Sequence, residues 1–207
     1  MMKWRTDRLI LHVTIQLVFF ISTIMSKEKT THYTAYANEV INTFLHEMKR
    51  DFGMDCMGSG GSMPYNIRDI DVMLSIRKIA SIEEARHLGV FGVQKLLKII
   101  NEHKNIRPFL YQYPFTAKDV CVSISFFNSD YRYSLDGNIA SISLLHGKIF
   151  YDKVEIHKVQ DPGLICGKTG KHLRPPKEVE DETLVTILKE TYEEAEAIIE
   201  KEKQANL

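Results

Sequence analysis

The feature that most constrains the fold of this chain is a strict alternation of apolar and more polar residues in several short stretches. In residues 69–76, Ile, Val or Leu stands at every even position, and Asp, Met or Ser at every odd position. Alternate residues of a strand point to opposite faces, so this pattern predicts a half-buried β-strand. Residues 120–126 and 140–144 alternate similarly, and His146-Gly147 is typical of a hairpin turn into a further strand, "KIFYDKVEIHK".

Three helices are predicted around these strands. Apolar residues recur at helical spacing across residues 36–52, and Gly53 stands where a left-handed C-terminal cap is expected. A capping box at Ser81-x-x-Glu84 predicts the start of the second helix, and another at Thr191-x-x-Glu194 predicts the start of the third. Before that helix, "DPGLICGKTGKHLRPPKE" indicates an irregular excursion, and "TLVTILK" indicates a short strand.

The predicted fold is α+β: an antiparallel sheet of about four to six strands with helices packed on one face, preceded by an apolar leader. Antiparallel pairing is expected because the strands are close in sequence and joined by short loops. With 207 residues and 44% hydrophobic composition, the chain can form one sizeable core, which assigns residues 27–207 to a single domain. The predicted core residues share the apolar side of the strands: Ile70, Val72, Leu74, Val122, Ile124, Ile142 and Leu144.

The N-terminus indicates where the protein resides. Lys3, Arg5 and Arg8 precede the mainly apolar run "LILHVTIQLVFFISTIM", a pattern typical of an export signal. The run is also about as long as the shortest membrane-spanning helices, roughly 17 residues. Residues 1–26 are therefore predicted to be a signal peptide or a membrane anchor, with membrane contact only through residues 9–25 if the leader is not cleaved. The domain is expected to be exported, whether periplasmic, secreted or anchored, and a buried N-terminal strand or helix of a cytosolic protein is the alternative.

Charge and cysteine content restrict the partners. Lys plus Arg and Asp plus Glu number 27 each, so overall charge gives no reason to expect nucleic acid as a partner. Cys56, Cys121 and Cys166 show no Cys-x-x-Cys spacing, so neither a zinc site nor a complete disulfide framework is indicated. Three buried apolar cysteines are expected, and one bridge with one free thiol is the alternative in an oxidising compartment.

One stretch of the chain resembles a catalytic motif. The residues "GSGGSMPYNIRDID" are similar to the motif of the nucleotidyltransferase superfamily, a Gly-Ser turn followed by Asp-x-Asp on a strand. The resemblance implies that Gly58 and Ser59 contact nucleotide phosphates and that Asp69 and Asp71 bind magnesium ions. Alternate strand residues share a face, which would allow both carboxylates to reach one ion.

Other features of the sequence favour a plainer role for these aspartates. The third metal-binding carboxylate of that family projects from a later strand, yet "VCVSISFF" and "ASISLL" contain none. The alternation in residues 69–76 already places Asp69 and Asp71 on the solvated side of an amphipathic strand. The prediction is that neither binds a catalytic metal, that the chain uses no cofactor, and that "GSGGSMPYN" is a flexible connection.

Two further motifs are expected to be surface features. The segment "GLICGKTGK" differs from a phosphate-binding loop, because three residues rather than four separate Gly163 from Gly167, and Pro175-Pro176 stops the helix that such a loop must open. Glu83 and His87 are one helical turn apart and lack a third ligand, so a solvated helical pair is predicted rather than a metal site.

The overall layout is similar to an uncharacterised family of small exported bacterial proteins, on the leader, "GSGG", "IEEARHLGV", "IRPFLYQYPFTAKDV" and "ETYEEA". This resemblance implies an envelope or secreted location and no particular activity. The favoured hypothesis is a non-enzymatic exported domain that binds a protein, a peptide or an envelope component. The alternative is a metal-dependent nucleotidyltransferase-like enzyme that uses Asp69 and Asp71.

The candidate binding surface is an aromatic, proline-rich segment. Interfaces favour aromatic side chains that combine an apolar ring with a polar tip. A loop packed across its own core is the alternative for this segment. Its candidate binding residues are Phe109, Tyr111, Tyr113, Pro114 and Phe115.

Overall fold

The computed structural model describes residues 33–161, 163–165, 172–174 and 177–205. The predicted leader, residues 1–26, lies outside these ranges, as does Cys166. No helix within the described ranges is long and apolar enough to cross a membrane. The elements in chain order are α1 (33–52), β1 (Asp55–Gly60), β2 (Ile70–Arg77), α2 (Ile82–Glu102), a 3₁₀ turn (Arg107–Phe109), β3 (Val120–Phe127), β4 (Ser141–Leu145), β5 (Lys148–Asp161), β6 (Leu164–Ile165), β7 (His172–Arg174), β8 (Lys177–Thr191) and α3 (Tyr192–Ala205).

The fold is α+β, with a six-stranded mixed sheet in the order β1-β2-β3-β4-β5-β8 and a small β6-β7 sheet. Strands β2 and β3 are parallel, and the other neighbours in the large sheet are antiparallel. The prediction of an antiparallel sheet is therefore wrong at this junction. The physical reason is the 21-residue helix α2 between the two strands. A crossover of that length returns the chain to the end of the sheet at which β2 begins, so β3 starts there and runs in the same direction.

The predicted core is confirmed. Leu74 lies beside Ile124, which lies beside Ile142, so apolar side chains form continuous rows across β2, β3 and β4. Helix α2 approaches these rows closely, because a Cβ added to Gly89 would lie 2.7 Å from Cδ1 of Ile142. All seven predicted core residues are at most 2% exposed: Ile70, Val72, Leu74, Val122, Ile124, Ile142 and Leu144.

The ends of the three helices follow the predicted capping signals. Helix α1 covers 33–52, against 36–52 predicted, and Gly53 follows it with φ +71°. In the first capping box, the N–H of Glu84 donates to Ser81 Oγ at 3.2 Å and the N–H of Ser81 donates to Glu84 Oε2 at 3.1 Å. Thr191 and Glu194 make the same reciprocal pair at the start of α3, with distances of 3.2 and 2.7 Å. Both capping predictions are confirmed.

The β5–β8 hairpin extends beyond the predicted strands, because β5 ends at Asp161 rather than Lys158 and β8 begins at Lys177 rather than Thr183. Its two strands have 14 and 15 residues and pair from Lys148 with Thr191 to Asp161 with Lys177. Strand β4 pairs only with residues 148–152 of β5. Beyond that point β5 and β8 have only each other as described neighbours, and we call this far part, residues 153–161 with 177–185, the ribbon. The predicted short strand "TLVTILK" lies within β8, and the β4–β5 turn is confirmed by positive φ at both His146 and Gly147.

Candidate functional site

The prediction that "GSGGSMPYN" is a flexible connection is wrong for residues 58–60, because these residues form the end of β1 and pair with β2 at the edge of the sheet, and the glycine-rich turn begins after them. Backbone pairing places Gly60 of β1 beside Asp71 of β2. Gly61 has φ +151°, and a Cβ there would lie 2.3 Å from the carbonyl oxygen of Asp69. A side chain at Gly61 would therefore displace the backbone, which explains why glycine is needed where the chain turns toward β2.

Asp69 holds this turn closed. Its Oδ1 accepts a hydrogen bond from the N–H of Ser62 at 2.5 Å, and the N–H of Arg68 donates to the carbonyl oxygen of Ser62 at 2.9 Å. The side chain of Asp69 is half-buried. A carboxylate that accepts a backbone N–H in this way fixes local geometry, so Asp69 has a structural role in the turn.

Asp71, on β2, differs from Asp69 in having one enclosed carboxylate oxygen. It is half-buried, with Gly60 beside it on β1 and Cys121 beside it on β3. Its Oδ1 is enclosed and accepts no hydrogen bond from a described residue. As predicted, Asp71 lies on the more exposed face of β2, where Met73 is 52% exposed, and only this one oxygen is enclosed. Enclosing a carboxylate oxygen without a donor is costly, which makes Asp71 a candidate for function.

The thiol beside Asp71 is not an activated nucleophile. Burial, then the hydrogen bond to Asp71 and its negative charge, raises the pKa of Cys121 to about 12. The thiolate is the reactive form of cysteine, so Cys121 remains an unreactive thiol at neutral pH. Cys121 is half-buried and Cys56 is exposed, both as free thiols, so the prediction of buried cysteines is wrong for Cys56.

The sheet face around Asp71 offers hydroxyl groups rather than carboxylates. On β3 and β4 this face carries Cys121 and four serines, at positions 123, 125, 141 and 143. Asp152 of β5 shares the face, but its carboxylate already accepts hydrogen bonds from Ser141 Oγ at 2.9 Å and Thr186 Oγ1 at 2.7 Å. Within the described ranges, no group of three or more His, Cys, Asp or Glu is placed to hold a metal ion.

The structure divides the four predicted aromatic binding residues into two pairs. Phe115 is buried, and Phe109 is half-buried with its ring centroid 6.1 Å from that of Tyr33. In contrast, Tyr111 and Tyr113 are 63% and 52% exposed. The two phenylalanines therefore anchor the segment to the core, and only the two tyrosines are available to a partner.

Each exposed tyrosine lies under an arginine. The guanidinium carbon of Arg68 is 5.4 Å from the ring centroid of Tyr111, and that of Arg107 is 4.9 Å from the ring centroid of Tyr113. These distances are typical of cation–π pairs. We call these four residues the tyrosine–arginine surface. Sequence reasoning missed Arg68, because a backbone bridge between Ile67 and Leu110 is what brings it to Tyr111.

The backbone that presents this surface is fixed by Asn101 at the end of α2. Its side-chain amide donates to the carbonyl oxygen of Phe115 at 3.0 Å and accepts from the N–H of Phe115 at 2.8 Å. The backbone carbonyl oxygen of Asn101 accepts hydrogen bonds from Arg107 Nε at 3.1 Å and Nη2 at 2.7 Å. The segment therefore presents Tyr111 and Tyr113 from a preorganised position, which lowers the entropy cost of binding.

Sequence reasoning also missed a buried polar cluster between α2 and the base of the β5–β8 hairpin. Arg86 Nε donates to Glu190 Oε1 at 2.9 Å, and the Tyr151 hydroxyl donates a short hydrogen bond to the same oxygen. Burial, followed by the Glu190 hydrogen bond, raises the pKa of Tyr151. The only signal in the sequence is that Tyr151 and Glu190 fall at inward-facing positions of their strands. The cluster joins helix to sheet.

The remaining motifs do not form a site. His87 Nε2 contacts Glu202 Oε2 on α3 at 2.7 Å, so it links two helices and shares no ion with Glu83. Most of "GLICGKTGK" lies outside the described ranges. Comparisons with protein-family models, with curated proteins and with solved structures find no match to this chain. Both family resemblances seen in the sequence therefore stay predictions.

Proposed function

We propose that this domain is a non-enzymatic binding module, exported or anchored to a membrane, that recognises an acidic segment of a protein, a peptide or an envelope component. The observation that carries the proposal is the tyrosine–arginine surface, with Tyr111 and Tyr113 exposed and each under an arginine. Tyrosine and arginine are the residue types that most often dominate binding energy at interfaces.

The chemistry of the surface favours an acidic partner. Arg68 and Arg107 supply two guanidinium groups, which can form paired hydrogen bonds with carboxylates. The tyrosine rings supply apolar area, and their hydroxyls can take part in further hydrogen bonds. We also infer that the helices cover one face of the sheet, supported by the close approach of Gly89 to Ile142.

A peptide library tests this proposal. Phage displaying random peptides are selected on the immobilised full chain, and the enriched peptides are expected to be rich in Asp and Glu. Replacing Arg68 and Tyr111 together by alanine should weaken binding at least tenfold, or about 1.4 kcal/mol. The matched control replaces Arg77 and Tyr131, another exposed pair with the guanidinium 4.6 Å from the ring. No enrichment of acidic peptides, or equal loss in the control, would contradict the proposal.

The predicted location has a separate test. Residues 1–30 are fused to a reporter enzyme that becomes active only outside the cytoplasm. Activity of the reporter is expected, because a basic flank followed by an apolar run is read by the export machinery. A soluble cytosolic protein that retains its intact N-terminus would contradict export.

The enclosed, unpartnered Oδ1 of Asp71 favours a second candidate, metal-dependent nucleotidyl transfer by Asp69 and Asp71 with Gly58 and Ser59 near the phosphates. A magnesium ion or a protonated ligand group would give that oxygen a partner. Against this candidate, β3 carries no carboxylate beside Asp71, and magnesium usually needs more ligands than two carboxylates supply.

Calorimetry separates the two candidates. The full chain is titrated with Mn²⁺ in the presence of ATP, and the titration is repeated with the Asp71→Asn variant and with Asp152→Asn as a control on the same sheet face. The binding-module proposal expects no heat that depends on Asp71. Micromolar binding that is lost only in Asp71→Asn would make the transferase the better candidate.

A further inference from the structure

The ribbon has two strands and no third described strand beside it, which is unusual for a β-structure exposed to water. From the pair Lys153–Val185 to the pair Asp161–Lys177, β5 and β8 pair only with each other among the described strands. Both of its strands are mostly exposed, including Ile156 at 41% and Leu184 at 45%. An isolated two-stranded hairpin is marginally stable, whereas a third strand adds backbone hydrogen bonds and burial.

The outer edge of β8 is available for such a strand. β8 is the last strand of the large sheet, so no described strand pairs with its outer N–H and C=O groups. Proteins usually protect an exposed edge with a bulge or a covering element. The bulge in this pair lies at the base of the ribbon, where the register shifts between Tyr151 and Asp152. Along the ribbon itself the pairing is regular.

The side chains of β8 show what kind of strand would fit. Glu178, Glu180 and Glu182 are exposed and occupy alternate positions, so they share one face with a spacing of roughly 7 Å. Lys158 pairs with Glu178 at 3.0 Å. Neither Glu180 nor Glu182 makes an ion pair with a described residue. This regular row of negative charge lies along the free edge.

We propose that the outer edge of β8 in the ribbon binds an extended basic peptide segment as an additional strand. Backbone hydrogen bonds along the edge supply affinity, as in other cases of strand addition. Lysine or arginine at every second position of the added segment faces Glu178, Glu180 and Glu182 and supplies specificity. A second copy of β8 fits poorly, because it would bring the same acidic residues into the interface. This site is separate from the tyrosine–arginine surface and does not depend on it.

The first test measures binding of short peptides to the full chain by fluorescence anisotropy. The probe is an end-capped octapeptide that alternates Lys and Val, and the control has the same composition with the four lysines in one block. The alternating peptide is expected to bind at least tenfold more tightly. N-methylation at every second residue should abolish binding for one of the two possible sets of residues, the set whose N–H groups face β8. Equal binding of both peptides, no binding of either, or full tolerance of both methylation patterns would overturn the proposal.

The second test compares the two faces of the ribbon. The double variant Glu180→Gln with Glu182→Gln should lose at least tenfold in affinity for the alternating peptide. The control, Glu155→Gln with Asp181→Asn, removes the same number of charges from the opposite face and should change affinity less than twofold. Both variants should melt at the temperature of the unaltered protein, because all four residues are exposed. Equal losses of affinity in the two variants would mean that only net charge matters. Self-association of the protein that the first variant abolishes would mean that a second copy occupies the edge. Either result overturns the proposal.

Discussion

The two halves of the β5–β8 hairpin have the same backbone pairing and opposite surroundings. In the near half, Ile149 and Tyr151 are at most 1% exposed, and β4 flanks β5 on its other side. In the ribbon, Ile156 and Val159 are 41% and 38% exposed. The same strand therefore passes from core to solvent at the bulge between Tyr151 and Asp152, and it pairs with β8 on both sides of that bulge. Burial is set by the neighbouring strand and helix, and strand propensity alone does not determine it.

The ion pairs of the two halves differ in the same way. Arg86 and Glu190, at the base of the hairpin, have side chains that are each 9% exposed. Lys158 and Glu178, in the ribbon, have side chains that are 69% and 55% exposed. A buried charge that loses its partner is strongly unfavourable, whereas water solvates an exposed one. The comparison therefore predicts large effects in the near half and small ones in the ribbon.

The largest expected effect comes from breaking the buried ion pair. Arg86→Met leaves Glu190 enclosed with only the Tyr151 hydroxyl, and should lower the free energy of unfolding by about 3–5 kcal/mol. Lys158→Met should change it by less than about 0.5 kcal/mol. Urea unfolding of the two variants measures both changes in the free energy of unfolding.

A double variant checks the cause of that loss. Arg86→Met combined with Glu190→Leu removes both charges and should recover most of the stability, because apolar groups can replace a buried ion pair at little cost. A double variant as unstable as Arg86→Met would show that packing, rather than the unpaired charge, accounts for the loss.

Truncation of isoleucine at two positions of β5 is expected to have the next largest effect. Ile149→Ala removes a side chain that is 1% exposed and should cost about 2–5 kcal/mol. Ile156→Ala removes the same atoms from an exposed position of the ribbon and should cost less than about 0.5 kcal/mol. Thermal melts of the two variants give the comparison directly. Similar losses at both positions would mean that the ribbon is covered by another part of the molecule.

The near half was predictable from sequence, and the ribbon only in part, because the predicted strands "KIFYDKVEIHK" and "TLVTILK" reach into it as far as Lys158 and Thr183. Ile149 and Tyr151 continue the alternation that marks the core strands, so a period-two pattern is enough to predict them. Val154 and Ile156 continue the alternation into the ribbon, and it stops after Ile156, where β8 is the only described strand that pairs with β5. An apolar alternation reports burial, so residues 177–182, which are mostly charged and exposed, carry no such pattern and were not predicted as strand.

The candidate sites were also predictable from the sequence only in part. The exposed tyrosines, Tyr111 and Tyr113, were predicted from their residue type, but their arginine partners were not. Arg68 reaches Tyr111 only through a backbone bridge between segments distant in sequence. The enclosure of Asp71 depends on the parallel register that places Cys121 beside it. The parallel pairing follows from the helical crossover α2, so the predicted order of strand, helix and strand already carried a signal for it.

The comparison between substitutions at enclosed and exposed positions also applies to Asp71 on β2. Its enclosed Oδ1 lacks a donor, so replacing the charged carboxylate by the neutral amide in Asp71→Asn should raise the free energy of unfolding by about 1 kcal/mol. Asp181→Asn in the exposed ribbon should change stability by less than about 0.5 kcal/mol. Chemical denaturation at low ionic strength and neutral pH measures the difference. A loss of stability in Asp71→Asn would show that the hydrogen bond between the Cys121 thiol and the carboxylate outweighs the cost of enclosing Oδ1.

The smallest expected effect is a pH dependence caused by Cys121. Burial and the nearby Asp71 raise the pKa of this thiol from 9.0 to about 12. Between these two pH values the folded protein keeps the proton that the unfolded chain has released, so the unfolded state binds fewer protons and stability falls as pH rises. Below pH 9 both states are protonated and the thiol contributes no slope.

The melting temperature should therefore fall between pH 8 and pH 10.5, and Cys121→Ser should reduce that fall by at most about 2 °C, because the thiol is only half-buried. Cys56→Ser, which alters an exposed thiol, is the matched control and should leave the fall unchanged. The raised pKa of Tyr151 adds to the alkaline loss in all three proteins and cancels in the comparison. An identical fall in Cys121→Ser and the unaltered protein would show that the thiol beside Asp71 reaches solvent as freely as Cys56 does.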